Sequence, residues 1–96
     1  MLTRQTLSNR RQEILELAAR HGASRVRIFG SVARGEANAS SDLDLIVRFE
    51  PGRSLLDQGG LLMDLQDLLG IRVDLISEGA LSGRFADIVS KEAVPL

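Results

Sequence analysis

The sequence has no cysteine, no tryptophan, no tyrosine and only one histidine. The absence of cysteine excludes disulfide bonds, thiol nucleophiles and thiolate metal ligands. A single histidine, His21, excludes zinc sites and catalytic sites that need several histidines. Its place at the end of a predicted helix suits the negative end of the helix dipole, so a role as metal ligand is disfavoured.

Aromatic residues make up only 3% of the chain, and all three are phenylalanine. Three rings are too few for the row of stacked side chains on which single-stranded nucleic acids bind. The formal net charge is -1, so the chain has no strong basic field that would attract nucleic acid. We therefore expect no direct contact with nucleic acid, and if any base is bound we expect the backbone to make most of the contacts to it.

Long apolar runs are also missing. No stretch approaches the roughly 20 apolar residues of a membrane helix, and the beginning of the chain lacks the pattern of a signal peptide. We expect a cytoplasmic protein with no membrane partner. With 96 residues, 44% of them apolar, the chain has the size and composition of one globular domain over residues 1–96.

Apolar periodicity predicts helices alternating with short strands, followed by an extended tail. Helices are predicted over 6–21, 55–69 and 80–92, and strands over 26–29, 43–49 and 71–76. The connection of about 20 residues between the last two strands suits a parallel or mixed sheet. The predicted fold class is α/β (α+β), with a small mixed sheet of three to four strands and helices packed on one face.

Two predicted helices have apolar stripes that we expect to face the core. In the middle helix the stripe consists of leucines: Leu55, Leu56, Leu62, Leu65, Leu68 and Leu69. In the last helix it consists of Leu81, Phe85, Ile88 and Val89. Two glycines, Gly59 and Gly60, interrupt the middle helix at a cost of about 1 kcal/mol each relative to alanine, which indicates either a break or a closely packed contact.

Two aspartates one residue apart begin the second predicted strand. Side chains alternate along a strand, so Asp42 and Asp44 point to one face and Leu43, Leu45 and Val47 point to the other. Adjacent carboxylates repel each other, and each has a raised pKa unless a cation lies between them. Mg²⁺ prefers such hard oxygen ligands together with phosphate oxygens and water.

A third aspartate, Asp74, alternates in the same way with Val73 and Leu75. If its strand neighbours the second strand, three carboxylates share one open face. Three carboxylates suit a site with two metal ions, about 3.5–4 Å apart, that assists an in-line phosphoryl displacement. The alternative is a sheet whose solvent face is simply acidic. We favour the metal site because the three aspartates occur on two strands beside a glycine-serine turn.

The glycine-serine turn, Gly30 and Ser31, directly follows the first strand. Glycine lets the backbone approach a phosphate, and backbone N–H groups at the start of a helix favour anions. Arg34 is a further candidate for nucleotide binding, although pairing with a carboxylate to brace the loop is an equal alternative. The pattern G-x-x-x-x-G-K-[ST] is missing, so a P-loop NTPase is not supported.

The combined pattern resembles the minimal nucleotidyltransferases of the DNA polymerase β superfamily. It consists of G-S-V-A-R-G over 30–35, S-D-L-D-L over 41–45 and V-D-L over 73–75. The positions that match the superfamily pattern are Gly30, Ser31, Asp42, Asp44 and Asp74. The resemblance extends from about residue 14 to the C-terminus, and it implies a polymerase β-like fold in one minimal nucleotidyltransferase domain, 1–96.

The resemblance also implies a reaction. ATP would be the substrate and two Mg²⁺ ions the cofactors, held by Asp42, Asp44 and Asp74. An acceptor hydroxyl would attack the α-phosphate and release pyrophosphate, with Asp74 helping to deprotonate the hydroxyl. Gly30 and Ser31 would hold the β- and γ-phosphates.

Relatives of this size resemble the antitoxin half of a toxin–antitoxin pair. The implied partner is a helical HEPN-domain ribonuclease toxin that receives AMP on a tyrosine. An antitoxin that neutralises its partner by binding alone is the main alternative, although the complete set of carboxylates favours an enzyme. A transferase acting on a small molecule is disfavoured because no acceptor-binding domain is present. A phospho-acceptor receiver domain would need about five parallel strands.

Overall fold

The computed structural model describes residues 2–96, which form four strands and five helices. The strands are β1 (Ala23–Phe29), β2 (Leu43–Phe49), β3 (Val73–Ser77) and β4 (Val94–Pro95). The helices are α1 (Arg4–Asn9), α2 (Arg11–Arg20), α3 (Gly30–Arg34), α4 (Leu55–Leu69) and α5 (Gly83–Glu92), with one 3-10 turn at Glu78–Ala80. Among these residues, no helix combines the length and the apolar character that crossing a membrane requires.

The sheet is mixed, with the strand order β3-β2-β1-β4. Strand β1 runs antiparallel to both β2 and β4, whereas β2 and β3 are parallel. The predicted sheet of three to four strands is therefore confirmed, and so are the extended tail and the bounds of β2. Strand β3 begins two residues later than predicted, because Gly70 ends α4 in the left-handed conformation and the next two residues lead into the strand.

One face of the sheet forms the main core, and Ile46 on the other face is buried as well. Leu43, Leu45 and Val47 of β2 are at most 1% exposed, as their alternation predicts. Helices α2 and α4 cover this face with Ile14, Ala18, Leu61 and Leu65. The 3-10 turn and α5 contact side chains of the other face, where Glu78 pairs with Arg27 and Phe85 packs on Phe29.

The prediction of one helix over 6–21 is wrong, because two helices occupy this segment. Helix α1 begins earlier, at Arg4, where the Thr3 hydroxyl accepts a hydrogen bond from the Thr6 N–H at 3.2 Å. Arg10 has the non-helical angles φ -106 and ψ 12, which end α1 before α2 begins. The Arg10 guanidinium then pairs with Glu13 at 2.8 Å and braces the first turn of α2.

The predicted apolar stripes are partly wrong. Leu55 and Leu56 are 84% and 87% exposed, and α4 reaches the core only from Leu61 onward. In α5, Val89 is buried, whereas Phe85 and Ile88 are 45% and 40% exposed. Helical spacing identifies residues that share a face, but it does not tell how far along the helix a neighbour covers that face.

The glycine pair in α4 marks a close contact rather than a break, because α4 is continuous over 15 residues. A side chain at Gly60 would place its Cβ 2.7 Å from Cε1 of His21, while the same atom at Gly59 would meet nothing within 4 Å. His21 also lies 2.7 Å from Asp64 through Nε2 and Oδ2. The end of α2 is thereby fixed against the middle of α4.

Candidate active site

Asp44 and Asp74 lie directly opposite each other on the parallel strands β2 and β3. The register pairs Asp44 with Asp74, and it pairs the buried Leu45 with the buried Leu75 one residue further on. Because side chains alternate, both carboxylates point away from the core face. The structure therefore brings together two aspartates that are 30 residues apart in the sequence.

The third predicted carboxylate, Asp42, lies at the rim of this site. It precedes β2, and its side chain is 45% exposed, with Oδ1 3.8 Å from Nε of Arg72. Within residues 2–96, no three histidine, cysteine, aspartate or glutamate side chains converge closely enough to form a ready-made metal cluster. Asp42 is thus close to the Asp44–Asp74 pair but partly turned towards Arg72.

The surroundings of Asp44 disfavour the ionised form of its carboxyl group. Burial raises the pKa of the Asp44 carboxyl above its ordinary value, and the charges of Asp74 and Asp42 and a hydrogen bond with Asp74 raise it further. The charge of Arg34 opposes this rise in pKa. A divalent cation would relieve the repulsion, and carboxylate oxygens are the ligands that Mg²⁺ prefers, so the residues present are suited to hold it.

Gly30 places the turn after β1 directly against Asp44. It has φ +78, in the left-handed region, and a Cβ built on it would overlap Oδ2 of Asp44. Only glycine meets both conditions without strain. The Asp44 carboxylate therefore lies against bare backbone at the start of the five-residue helix α3.

The other two predicted residues of the turn, Ser31 and Arg34, lie on α3. Ser31 is partly buried, and its carbonyl accepts a hydrogen bond from the Glu36 N–H at 2.9 Å. Nε of Arg34 lies 3.3 Å from Oε2 of Glu36. Of the two alternatives for Arg34, the structure shows the pairing with a carboxylate, while its charge still acts on Asp44.

An open cleft of about 500 Å³ adjoins the rim of the site. It lies between the loop before β2 and the end of α4, and Ser41, Asp42, Gln66 and Arg72 are among the residues that line it. The cleft meets the site only at Asp42. It is therefore a neighbouring surface, separate from the Gly30–Asp44 contact.

The sequence analysis missed an aromatic pair beside the carboxylates. Phe29 is the register partner of Asp44 across β1 and β2, so their side chains are neighbours on one face. The ring of Phe85 packs on Phe29, with centroids 6.0 Å apart and planes at 86°. The place of Phe29 before Gly30 was a signal for its position, but nothing in the sequence indicated that Phe85 returns to it.

A mixed sheet with paired carboxylates beside a glycine-serine turn is the arrangement of a nucleotidyltransferase. Residues 10–96 match the family model described as the nucleotidyltransferase domain. The chain belongs to this family. The enzyme class that the sequence predicts, nucleotidyltransferase, is confirmed.

Two relatives and one more distant structure are similar to the chain. Protein adenylyltransferase MntA of Thermococcus cleftensis is 43% identical over 79 residues, which cover 82% of this chain and 80% of that protein. A solved structure described as a candidate minimal nucleotidyltransferase is 56% identical, with a TM-score of 0.88, and the match covers 99% of this chain and 97% of that one. The predicted minimal nucleotidyltransferase fold is thereby confirmed.

The more distant structure is a toxin–antitoxin solved with AMP-PNP. It is 21% identical, with a TM-score of 0.75, and the match covers 88% of this chain and 69% of that one. At this identity the likeness shows a shared fold.

Proposed function

We propose that this chain transfers AMP from ATP, with Mg²⁺, to a hydroxyl group of a partner protein. The observation that supports the proposal most is the register of Asp44 with Asp74, with the Gly30 backbone directly against Asp44. Two carboxylates are thereby held beside a turn suited to phosphate. The similarity to a protein named protein adenylyltransferase supports the same reaction.

In this proposal the three carboxylates hold the metal ions. Asp44 and Asp74 are already paired, and the exposed side chain of Asp42 turns from Arg72 to join them. Mg²⁺, when bound, supplies positive charge beside the attacking and leaving oxygens. That charge also offsets the repulsion that raises the pKa of Asp44.

The bond changes follow an in-line displacement. The acceptor hydroxyl oxygen forms a bond to the α-phosphorus, and the bond from that phosphorus to the oxygen bridging to the β-phosphate breaks. Pyrophosphate leaves, and Asp74 accepts the proton of the hydroxyl. Gly30 and Ser31 hold the β- and γ-phosphates through the backbone at the start of α3, with Arg34 available if it leaves Glu36.

The acceptor that we propose is a tyrosine of a HEPN-domain ribonuclease toxin, which makes the chain a cytoplasmic antitoxin acting as one domain over 1–96. The chain itself contains no tyrosine, so a tyrosine acceptor belongs to another molecule. The toxin–antitoxin structure with the same fold supports an antitoxin role.

A second candidate is an antitoxin that neutralises its partner by binding alone. The contact of Asp42 with Arg72 at 3.8 Å favours it, because this carboxylate is partly turned towards Arg72. In that case the acidic face would be catalytically silent. The two candidates differ in whether AMP is transferred to the partner.

Label transfer from α-labelled ATP with Mg²⁺ separates these candidates. The purified chain is mixed with the product of the neighbouring gene, and Asp44→Asn is compared with Asp67→Asn, an exposed aspartate on α4. We expect label on the partner with the unaltered chain and with Asp67→Asn, and background only with Asp44→Asn.

The remaining outcomes are informative as well. A stable complex without transfer would replace the enzyme by the binding-only antitoxin. If there is neither transfer nor a stable complex, the assigned partner is contradicted. Circular dichroism of Asp44→Asn checks that a lost activity reflects lost chemistry rather than lost folding.

A further inference from the structure

The aromatic pair beside Asp44 has a free ring surface. Phe85 is 45% exposed although its ring packs on Phe29. In an edge-to-face pair, one ring presents its edge and the other presents one face. Whichever ring supplies the edge, at least one face of Phe85 is left uncovered by Phe29.

This ring surface lies within reach of a nucleotide at the site. Phe29 is the cross-strand partner of Asp44, and such partners have Cβ atoms about 5 Å apart. The Phe85 ring is one ring further out, at a centroid distance of 6.0 Å from Phe29. A base joined through ribose to a phosphate at Asp44 spans a distance of this order.

The order of the strands places the pair on the nucleotide side of the site. Across the sheet the order is β3, β2, β1, so Asp74, Asp44 and Phe29 follow one another. With the β- and γ-phosphates at Gly30, the leaving group lies on the β1 side. An in-line attack then brings the acceptor from the opposite side, that of Asp74. Phe29 and Asp74 therefore lie on opposite sides of Asp44, so the ring pair is on the side away from the attacking hydroxyl.

The segment that leads to Phe85 is fixed to the sheet. Glu78, in the 3-10 turn after β3, pairs with Arg27 at 3.2 Å and with Arg25 at 3.5 Å. The side chains of Arg27 and Glu78 are only 19% and 25% exposed, so this link is shielded from solvent. These ion pairs fix the start of the 3-10 turn, five residues before α5 begins, and the contact of Phe85 with Phe29 positions the ring before any ligand arrives. A prepositioned ring lowers the entropic cost of using Phe85 as a contact.

We propose that Phe85, backed by Phe29, stacks on the base of the bound nucleoside triphosphate and determines its affinity. The proposal rests on the proposed function, which places the phosphates at Gly30 and the carboxylates. Stacking on an aromatic side chain tolerates every base, because each base has a π-face, and it is strongest for the larger purines. The assignment adds a side-chain contact to a base that the sequence analysis expects to be held mostly by the backbone.

The first experiment measures nucleotide binding by calorimetry, with Mg²⁺ and without any acceptor protein. ATP is compared with inorganic tripolyphosphate, which has the phosphates but no base. For Phe85→Ala we expect an ATP affinity about tenfold lower and an unchanged affinity for tripolyphosphate. Phe85→Tyr should restore the affinity for ATP, whereas Phe85→Leu, which keeps apolar volume, should not.

A second experiment uses the absence of tryptophan from the chain. Phe85→Trp introduces a single indole at the proposed platform, and stacking of adenine on it should quench its fluorescence. Tripolyphosphate should leave that fluorescence unchanged. Leu56→Trp is the matched control, since Leu56 is 87% exposed on the first turn of α4, beyond the end of β2 opposite to Asp44.

Each further outcome decides between the proposals. Equal losses of ATP and tripolyphosphate affinity in Phe85→Ala would overturn the stacking role, and so would an unchanged ATP affinity. If Phe85→Ala raises the KM for the acceptor in the label-transfer assay and leaves the KM for ATP unchanged, the ring contacts the acceptor. That result would overturn the stacking role as well. If the unaltered chain binds tripolyphosphate as tightly as ATP, only the base contact fails. If it binds neither, the proposed function fails with it.

Discussion

The two faces of β2 meet opposite physical demands within one strand of seven residues. Leu43, Leu45 and Val47 are at most 1% exposed and belong to the buried apolar cluster that forms the core. One residue away, Asp44 is partly buried beside two other carboxylates, and its pKa is raised. The core face stabilises the fold, and Ile46, two residues from Asp44 on the other face and 0% exposed, adds to that burial. The fold thereby holds the carboxylates together against their mutual repulsion.

The largest effect on stability is expected on the core face. Leu45→Ala removes a side chain that is 0% exposed and leaves a cavity, so we expect a loss of about 2–5 kcal/mol in the free energy of unfolding. Urea denaturation followed by circular dichroism measures it. A loss below about 1 kcal/mol would contradict the burial of Leu45 in a closely packed core.

An intermediate loss of stability is expected at Gly30, where the backbone of the turn contacts Asp44. Gly30→Ala adds a Cβ that overlaps Asp44 and forces a non-glycine residue to φ +78, so we expect a loss of about 1–3 kcal/mol together with lost transfer activity. Urea denaturation and label transfer measure the two losses.

A double-mutant cycle separates the two causes in Gly30→Ala. Combining it with Asp44→Ala removes the overlapping carboxylate but leaves the backbone strain at residue 30. The loss in the double variant should therefore be smaller than the sum of the two single losses. Strictly additive losses would mean that the two residues do not touch in solution.

The smallest effect on stability is expected for Asp44→Asn without metal. Unlike the two preceding substitutions, it should make the folded chain more stable. The folded-state pKa of Asp44 is raised, so its neutral form is favoured by folding, and stability is lost as the pH rises through that pKa. Asparagine cannot ionise. The variant should therefore melt a few degrees higher than the unaltered chain at neutral pH, and this difference should vanish below the ordinary aspartate pKa of about 3.9.

Thermal melts with a metal chelator, recorded from about pH 3 to pH 7, test this sign. Asp67→Asn serves as the control, because Asp67 is exposed on α4. A difference in melting temperature that is independent of pH would contradict the electrostatic explanation. If Asp44→Asn melts higher and also transfers no AMP, the site exchanges stability for function.

Much of the site could be predicted because its residues obey a local rule. Alternation places Asp44 and Leu45 on opposite faces whatever the rest of the chain does, and the same rule applies to Asp74. The glycine-serine turn was evident because an apolar run ends at Gly30. The bounds of β2 were found because polar residues precede it and a Pro-Gly turn follows it.

The remainder depends on contacts between distant segments. The break at Arg10 interrupts an apolar pattern that is otherwise continuous, and the exposure of Leu55 depends on where the sheet ends beneath α4. The packing of Phe85 on Phe29 joins residues 56 positions apart, and periodicity places Phe85 on the apolar side of α5 without naming its neighbour. Tertiary geometry alone determines these features.

The parallel register of β2 and β3 has a consequence for folding fidelity. Because side chains alternate, a slip of one residue between these strands would turn Asp74 into the core and bring Val73 and Leu75 onto the site face. Correct burial of the core and correct assembly of the site therefore depend on the same pairing of β2 with β3. A molecule whose two carboxylates meet has also packed its core correctly, so the active fraction of a preparation reports the correctly folded fraction.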